Sequence, residues 1–276
     1  MRSQLCIFNI ETGEDRILTE TDMVIEAPNW HPDDTFLIVN GEGHIFRTDF
    51  DQPNILHKID TDFAVLCNND HGISPDGTTL VISQGADTST IYTLPIEGGR
   101  PKRITNDEPS YWHGWSPDGK MLAYVGRSQG PFQVFTVPVD GGEPVQLTQG
   151  GGHKDGPDYT PDGNWIWFNS DRGGHMDLWR MRPADGSDLE QMTNDDAVNW
   201  FPHPSPDGRH VLYLAYENGT EGHPRDRNVR LMLMPSEGGE ARTLKSLFGG
   251  QGTINVPCWA PDSKRFAYVQ YLPATA

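Results

Sequence analysis

A proline-aspartate turn recurs along the chain, as "HPDD" at His31, "SPDG" at Ser74, "SPDG" at Ser116, "TPDG" at Thr160, "SPDG" at Ser205 and "APDS" at Ala260. The intervals run from 42 to 45 residues until the last, which is about ten residues longer. A period of this size is the signature of propeller blades, each repeat being one supersecondary unit that buries its faces against its neighbours. Six copies predict six blades.

Every copy reads alike. The third runs through "YWHGWSP", "MLAYVGR", "FQVFTVPV", "DGG" and "EPVQLT", from Tyr111 to Thr148. Period-two alternation over runs of this length predicts half-buried strands, and Pro-Asp-Gly and Asp-Gly-Gly supply the turns between them. Each repeat is therefore a four-stranded antiparallel meander, strands a to d from the axis outward, in an all-β chain. The 30 glycines and 22 prolines agree with frequent turns. The first residues, "QLCIFNIETGEDRILT", match strands c and d, and the last, "VPCWAPDSKRFAYVQYL", match a and b. Joined, they complete one blade and leave no open sheet edge. The expected division of a single propeller over 1–276 is 1–19 for strands c and d of the closing blade, 20–62, 63–107, 108–150, 151–195 and 196–247 for the complete blades, and 248–276 for strands a and b.

With 39 acidic against 21 basic residues the formal charge is −18, which weighs against nucleic acid and anionic membranes as partners. No run approaches the roughly 18 apolar residues of a membrane span, and "MRSQLCIFNIETGE" lacks the apolar core of a signal peptide, so a cytoplasmic location is expected. Cys6, Cys67 and Cys258 fall in or beside strands and read as buried, reduced thiols.

The pattern P-x-W-S-P-D-G, seen in "PNWHPDD" and "PCWAPDS", resembles the TolB-like six-bladed propeller repeat, and more distantly the propeller of oligogalacturonate lyase. The first resemblance implies a non-catalytic propeller that binds a protein partner. The second implies a carbohydrate-active lyase or hydrolase: metal-assisted elimination from a sugar acid or oxidised sugar, with a divalent ion such as manganese, zinc or calcium.

Positions shared by all copies serve the scaffold, so function is sought where copies differ. Two residues before the turn proline stand Trp30, Ile73, Trp115, Tyr159, Pro204 and Trp259, a mostly aromatic position suited to packing between blades. Four residues before it, four copies have proline and two have His71 and His113; His203 lies one step nearer the turn in the fifth copy. The upstream half of strand a and the d-to-a loop open at one mouth of the central channel. The b-to-c loops reach the same mouth, and the fifth is lengthened by "ENGTEGHPRDRNV". His71, His113 and His203 are expected to converge there as metal ligands or base, with Asp70, Asp155 and Asp158 as orienting carboxylates. Glu26, Asn69, Trp112, Lys154, Trp200, His223, Arg225, Gln251 and Asn255 are expected to bind a sugar-like ligand. No Gly-x-Ser-x-Gly elbow or phosphate loop competes with this reading.

Overall fold

The computed structural model describes residues 1–85, 88–106, 109–127 and 130–272. Five four-stranded antiparallel sheets and a closing sheet form a six-bladed propeller, and the only helical element among the described residues is the short turn Gln251–Thr253. The innermost strands of the complete blades are Ile25–Trp30, Cys67–Ile73, Ser110–Trp115, Lys154–Tyr159 and Val198–Pro204. Each blade's remaining strands follow outward in sequence order, as alternating runs joined by tight turns require.

The closing blade pairs the two ends of the chain. Arg2–Asn9 lies between Asp15–Thr21 and Arg265–Leu272, in register from Arg2 opposite Leu272 to Asn9 opposite Arg265. Its innermost strand is reduced to a single bridge, Trp259 to Phe266. The cause is local: the turn Gln251–Thr253 occupies the chain just before it, where the other blades have the upstream half of the inner strand. The long last interval also differs from a simple loop, because "RTLKSLFG", Arg242–Gly249, is an eight-residue outer strand paired with Arg227–Pro235.

The core lies between blades. Trp30, Trp115, Tyr159 and Trp259 are all buried where strand a meets its neighbour. The Trp259 indole N–H donates to the carbonyl of His203 across the blade boundary at 2.9 Å. On the face away from the channel mouth, the aspartates of the repeated turns accept from the backbone two residues on, as Asp76 does from Thr78 and Asp118 from Lys120. The three cysteines are buried and free.

One irregularity recurs and sets up the site. In all five complete blades the pairing of strand a with strand b slips midway, between Glu26 and Asn29, Cys67 and His71, Trp112 and Gly114, Asp155 and Asp158, and Trp200 and His203. In three of them the residue five before the turn proline takes a positive φ: Ala27 at 56°, Gly156 at 60° and Phe201 at 55°. A bulge of this kind re-aims the side chains around it. The left-handed backbone at Phe201 is held by its N–H donating to Asn169 Oδ1 at 3.1 Å.

Candidate functional site

A funnel of about 1040 Å³ opens at the mouth where the bulged halves of the inner strands end. In the five complete blades the residue six before the turn proline lies at or beside the bulge, and in the closing blade, which has no ladder there, Asn255 holds the same place. Around the ring these are Glu26, Asn69, Tyr111, Asp155, Trp200 and Asn255, and all but Trp200 line the funnel. Asp70 and His113 line it as well, Asn40 reaches it from the end of the strand Phe36–Gly41, and the long b-to-c loop of the fifth blade contributes His223, Arg225 and Asp226.

Asp155 organises one wall. Its Oδ1 lies 2.9 Å from His113 Nε2, while its Oδ2 faces His153 Nε2 at 3.4 Å and His223 Nε2 at 3.5 Å. The ligand atoms of His153, Asp155 and His223 all fall within 4.8 Å of one another, and no other such group of three exists among the described residues. His153 directly precedes the strand Lys154–Tyr159 and lies two residues before Asp155, so the alternation of the chain puts both on one side. His223 arrives from the lengthened loop of the fifth blade, which is tied down by the Tyr216 hydroxyl donating to the Pro224 carbonyl at 3.1 Å. Trp200 stands behind this wall, its ring centroid 4.4 Å from that of His223 and 5.8 Å from that of His153.

Electrostatics sort the groups into roles. Burial alone would raise the Asp155 carboxyl, but the His113 and His153 hydrogen bonds outweigh it and hold Asp155 well below the usual carboxylate range. Burial would lower His113, yet the hydrogen bond and charge of Asp155 carry it above its ordinary value. His223 is lowered, first by burial and then by the neighbouring histidines, despite the pull of Asp155. An ionised carboxylate beside a neutral imidazole is the state a divalent ion requires of its ligands. Across the ring, burial pushes Asp70 up to about 6, and Asn255 Nδ2 donates to its Oδ1 at 2.6 Å. Glu26 is likewise raised by burial, against the opposing influence of Arg225.

Several residues expected at the mouth have other work. His71 is fully buried, with neither ring nitrogen hydrogen-bonded, and lines no part of the funnel. Burial lowers it to about 3, so it is a neutral core side chain. His203 fastens blades together: Nδ1 pairs with Asp158 Oδ2 at 3.1 Å and Nε2 with the Ile254 carbonyl at 2.7 Å. His71 and His203 thus do not converge with His113 at the mouth; the imidazoles that gather on Asp155 there are His153 and His223, with His113 on its other oxygen. Asp158 belongs to the same buried latch.

Trp112 fills the inter-blade core so closely that a Cβ on Gly72 would lie 2.0 Å from its ring, which removes it from ligand contact. Lys154 is also fully buried, its Nζ donating to the carbonyls of Gly150, Gly151 and Gly152 at 3.3, 2.6 and 2.9 Å. It staples the loop that carries His153 instead of clamping a substrate. Trp200 supports the wall from behind. Glu26, Asn69, Asp70, Asp155, His223, Arg225, Gln251 and Asn255 do line the funnel. Tyr111 and Asn40 were not anticipated, and His153, expected at the mouth with "HKD", was not expected among the site residues. The alternation in "HKD" was the available signal for His153, since it places that residue on the face of Asp155.

Comparison with known proteins agrees with this fold. Residues 113–244 match the model of the TolB beta propeller domain. The chain is 49% identical over 275 residues to an uncharacterised protein of Agrobacterium fabrum, covering 99% of this chain and 94% of that one. A solved Agrobacterium tumefaciens structure, provisionally named a TolB, is also 49% identical, with a TM-score of 0.96 and 99% of each chain covered. An oligogalacturonate lyase in complex with manganese shares the fold at a TM-score of 0.58 and 16% identity, covering 90% of this chain and 74% of that one. By its repeats, its blade architecture and these matches, the chain belongs to the TolB beta propeller domain family.

Proposed function

We propose that this propeller holds a divalent metal ion on His153, Asp155 and His223 and binds a small carbohydrate-class ligand above it in the funnel. The observation that carries this reading is the convergence of two imidazoles and an ionised carboxylate within 4.8 Å at the wall of a ligand-sized cavity. Two nitrogens and one oxygen suit zinc or manganese better than calcium, which favours all-oxygen shells. His113 completes the arrangement from behind by fixing Asp155 Oδ1, leaving Oδ2 for the ion.

A bound ion of this kind polarises a ligand carbonyl or hydroxyl, which is the chemistry a lyase or hydrolase needs. The amide-rich lining of Asn40, Asn68, Asn69, Gln251 and Asn255 suits a polyhydroxylated ligand, whose hydroxyls can donate to the open amide oxygens of Asn40 and Asn255. The manganese-bound oligogalacturonate lyase of the same fold supports the reading by analogy.

The test is a panel of neutral, acidic and amino sugars scored by thermal shift of the full chain, with manganese or zinc and with a chelator. Metal-dependent stabilisation by a sugar that disappears in His223→Ala is the expected result; no sugar response in any condition would sink the carbohydrate reading.

A second reading, a protein partner at the same mouth, has one observation in its favour. The loop before the second blade exposes Phe63, Val65 and Leu66, each by 45% or more.

A further inference from the structure

The funnel wall contributed by blades six, one and two is chemically unlike the wall that carries the histidines. Glu26 and Asn40 come from the first blade, Asp70 from the second and Asn255 from the closing blade, and all four line the cavity. Its free groups are acceptors. Asn255 is fully buried, and its Nδ2 is spent on the Asn69 carbonyl at 3.0 Å and Asp70 Oδ1 at 2.6 Å, so the amide cannot be turned round. Its Oδ1 therefore stands without a donor. Asn40 is 5% exposed and repeats the pattern: its side chain bonds Glu26, and its Oδ1 has no partner.

The charges do not balance within the chain either. The lining includes Asp22, Glu26, Glu42, Asp70, Asp155 and Asp226, against one arginine, three histidines and the N-terminal residue Met1. Arg225 is engaged by Asp226 at 3.4 Å, and the His113 imidazole sits 2.9 Å from Asp155 but 3.9 Å from Asp70. Glu26 and Asp70 feel a cation only at a distance, from Arg225 and the His113 imidazole, and each is hydrogen-bonded to a neutral amide rather than to a charged donor, which leaves buried carboxyls open to a cationic donor that reaches them.

We propose that Glu26, Asn40, Asp70 and Asn255 form a subsite for a protonated amine on the ligand. An ammonium supplies three donors and a positive charge to two carboxyls and two unpartnered amide oxygens, which a neutral hydroxyl matches only in part. A ligand carboxylate at this wall would meet like charge and no donor, so the sugar acid implied by resemblance to the lyase fits it badly. Within the carbohydrate class the ligand is an amino sugar, its amine on this wall and its oxygens toward the histidines. The inference rests on the funnel being the ligand site, and its amine preference is separate from the metal.

The experiment is calorimetric titration of the full chain, with manganese and again with a chelator, using three ring-matched probes: glucosamine, glucose and glucuronate. Glucosamine should bind at least about tenfold more tightly than glucose, the ratio that one charge-assisted hydrogen bond supplies, with glucuronate weakest. Glu26→Gln with Asp70→Asn should erase that advantage in protein whose melting curve shows it folded; Glu26→Gln alone, a near-isosteric change, should reduce it. Equal affinities, a preference for glucuronate, or binding of none of the three would overturn the proposal. So would a second equivalent of manganese lost in Asp70→Asn, which would assign the wall to a metal ion. An amine preference that persists with the chelator would uphold the subsite even if the metal reading fails. Metal binding without an amine preference would do the reverse.

Discussion

His71 and His113 occupy the same place in two successive repeats, four residues before the turn proline, yet one is a neutral core residue and the other is drawn to a carboxylate. The difference is the neighbour, not the residue: Asp155 reaches His113 Nε2 at 2.9 Å, whereas no acceptor reaches either nitrogen of His71. The consequence for His71 can be signed. Its pKa falls from 6.5 to about 3 on folding, so its neutral form contributes fully above about pH 6.5. That contribution is lost as pH falls toward 3, by about 1.4 kcal/mol per pH unit, because the unfolded chain takes up the proton first. His71→Leu should therefore flatten the acid limb of the stability curve between pH 6 and pH 4, measured by urea unfolding at each pH. An unchanged slope would mean that His71 is charged in the folded protein.

At the scale of an element, the inner strand and its preceding loop decide what reaches the funnel. The six blades, their four-stranded meander and the aromatic position before each turn could be read from the recurring turn and the period-two alternation. The bulge could not: one or two extra residues in strand a leave no mark in the alternation, yet they shift which side chains face the axis. In the fourth blade the bulge leaves Asp155 lining the funnel, and in the third it leaves Trp112 packed between blades behind it. Lys154 misled for a related reason, since a basic residue near a mouth reads as a clamp until its three carbonyl partners are seen. Because it staples Gly150 to Gly152, Lys154→Met should leave the propeller folded but release His153, weakening manganese or zinc affinity by about tenfold. Unaltered metal affinity would show that the loop needs no staple. In the neighbouring blade contact, Gly72→Ala should destabilise the protein by about 3 kcal/mol in chemical denaturation, because its methyl would overlap Trp112.

The whole molecule depends on closure. Arg2–Asn9 is the middle strand of the closing blade, hydrogen-bonded on both sides, so removing residues 1–9 would expose the edge of Arg265–Leu272 and separate Asp15–Thr21 from the ring. That truncation is predicted to lose cooperative melting and to associate, as read by size-exclusion chromatography. A monomer with an unshifted melting temperature would contradict the ring's dependence on the closing strand. Closure also gives the site its rigidity, since the metal wall spans two blades and the acceptor wall three, and neither survives an open ring. The measurement that tests the central claim most directly is divalent metal content, by plasma mass spectrometry, of protein reconstituted with manganese or zinc and freed of excess ion. Wild type and His71→Leu should each retain about one equivalent, and His153→Ala and His223→Ala should retain almost none while still folded. Loss of metal in His71→Leu but not in His153→Ala, or no retained metal in the wild type, would contradict the account.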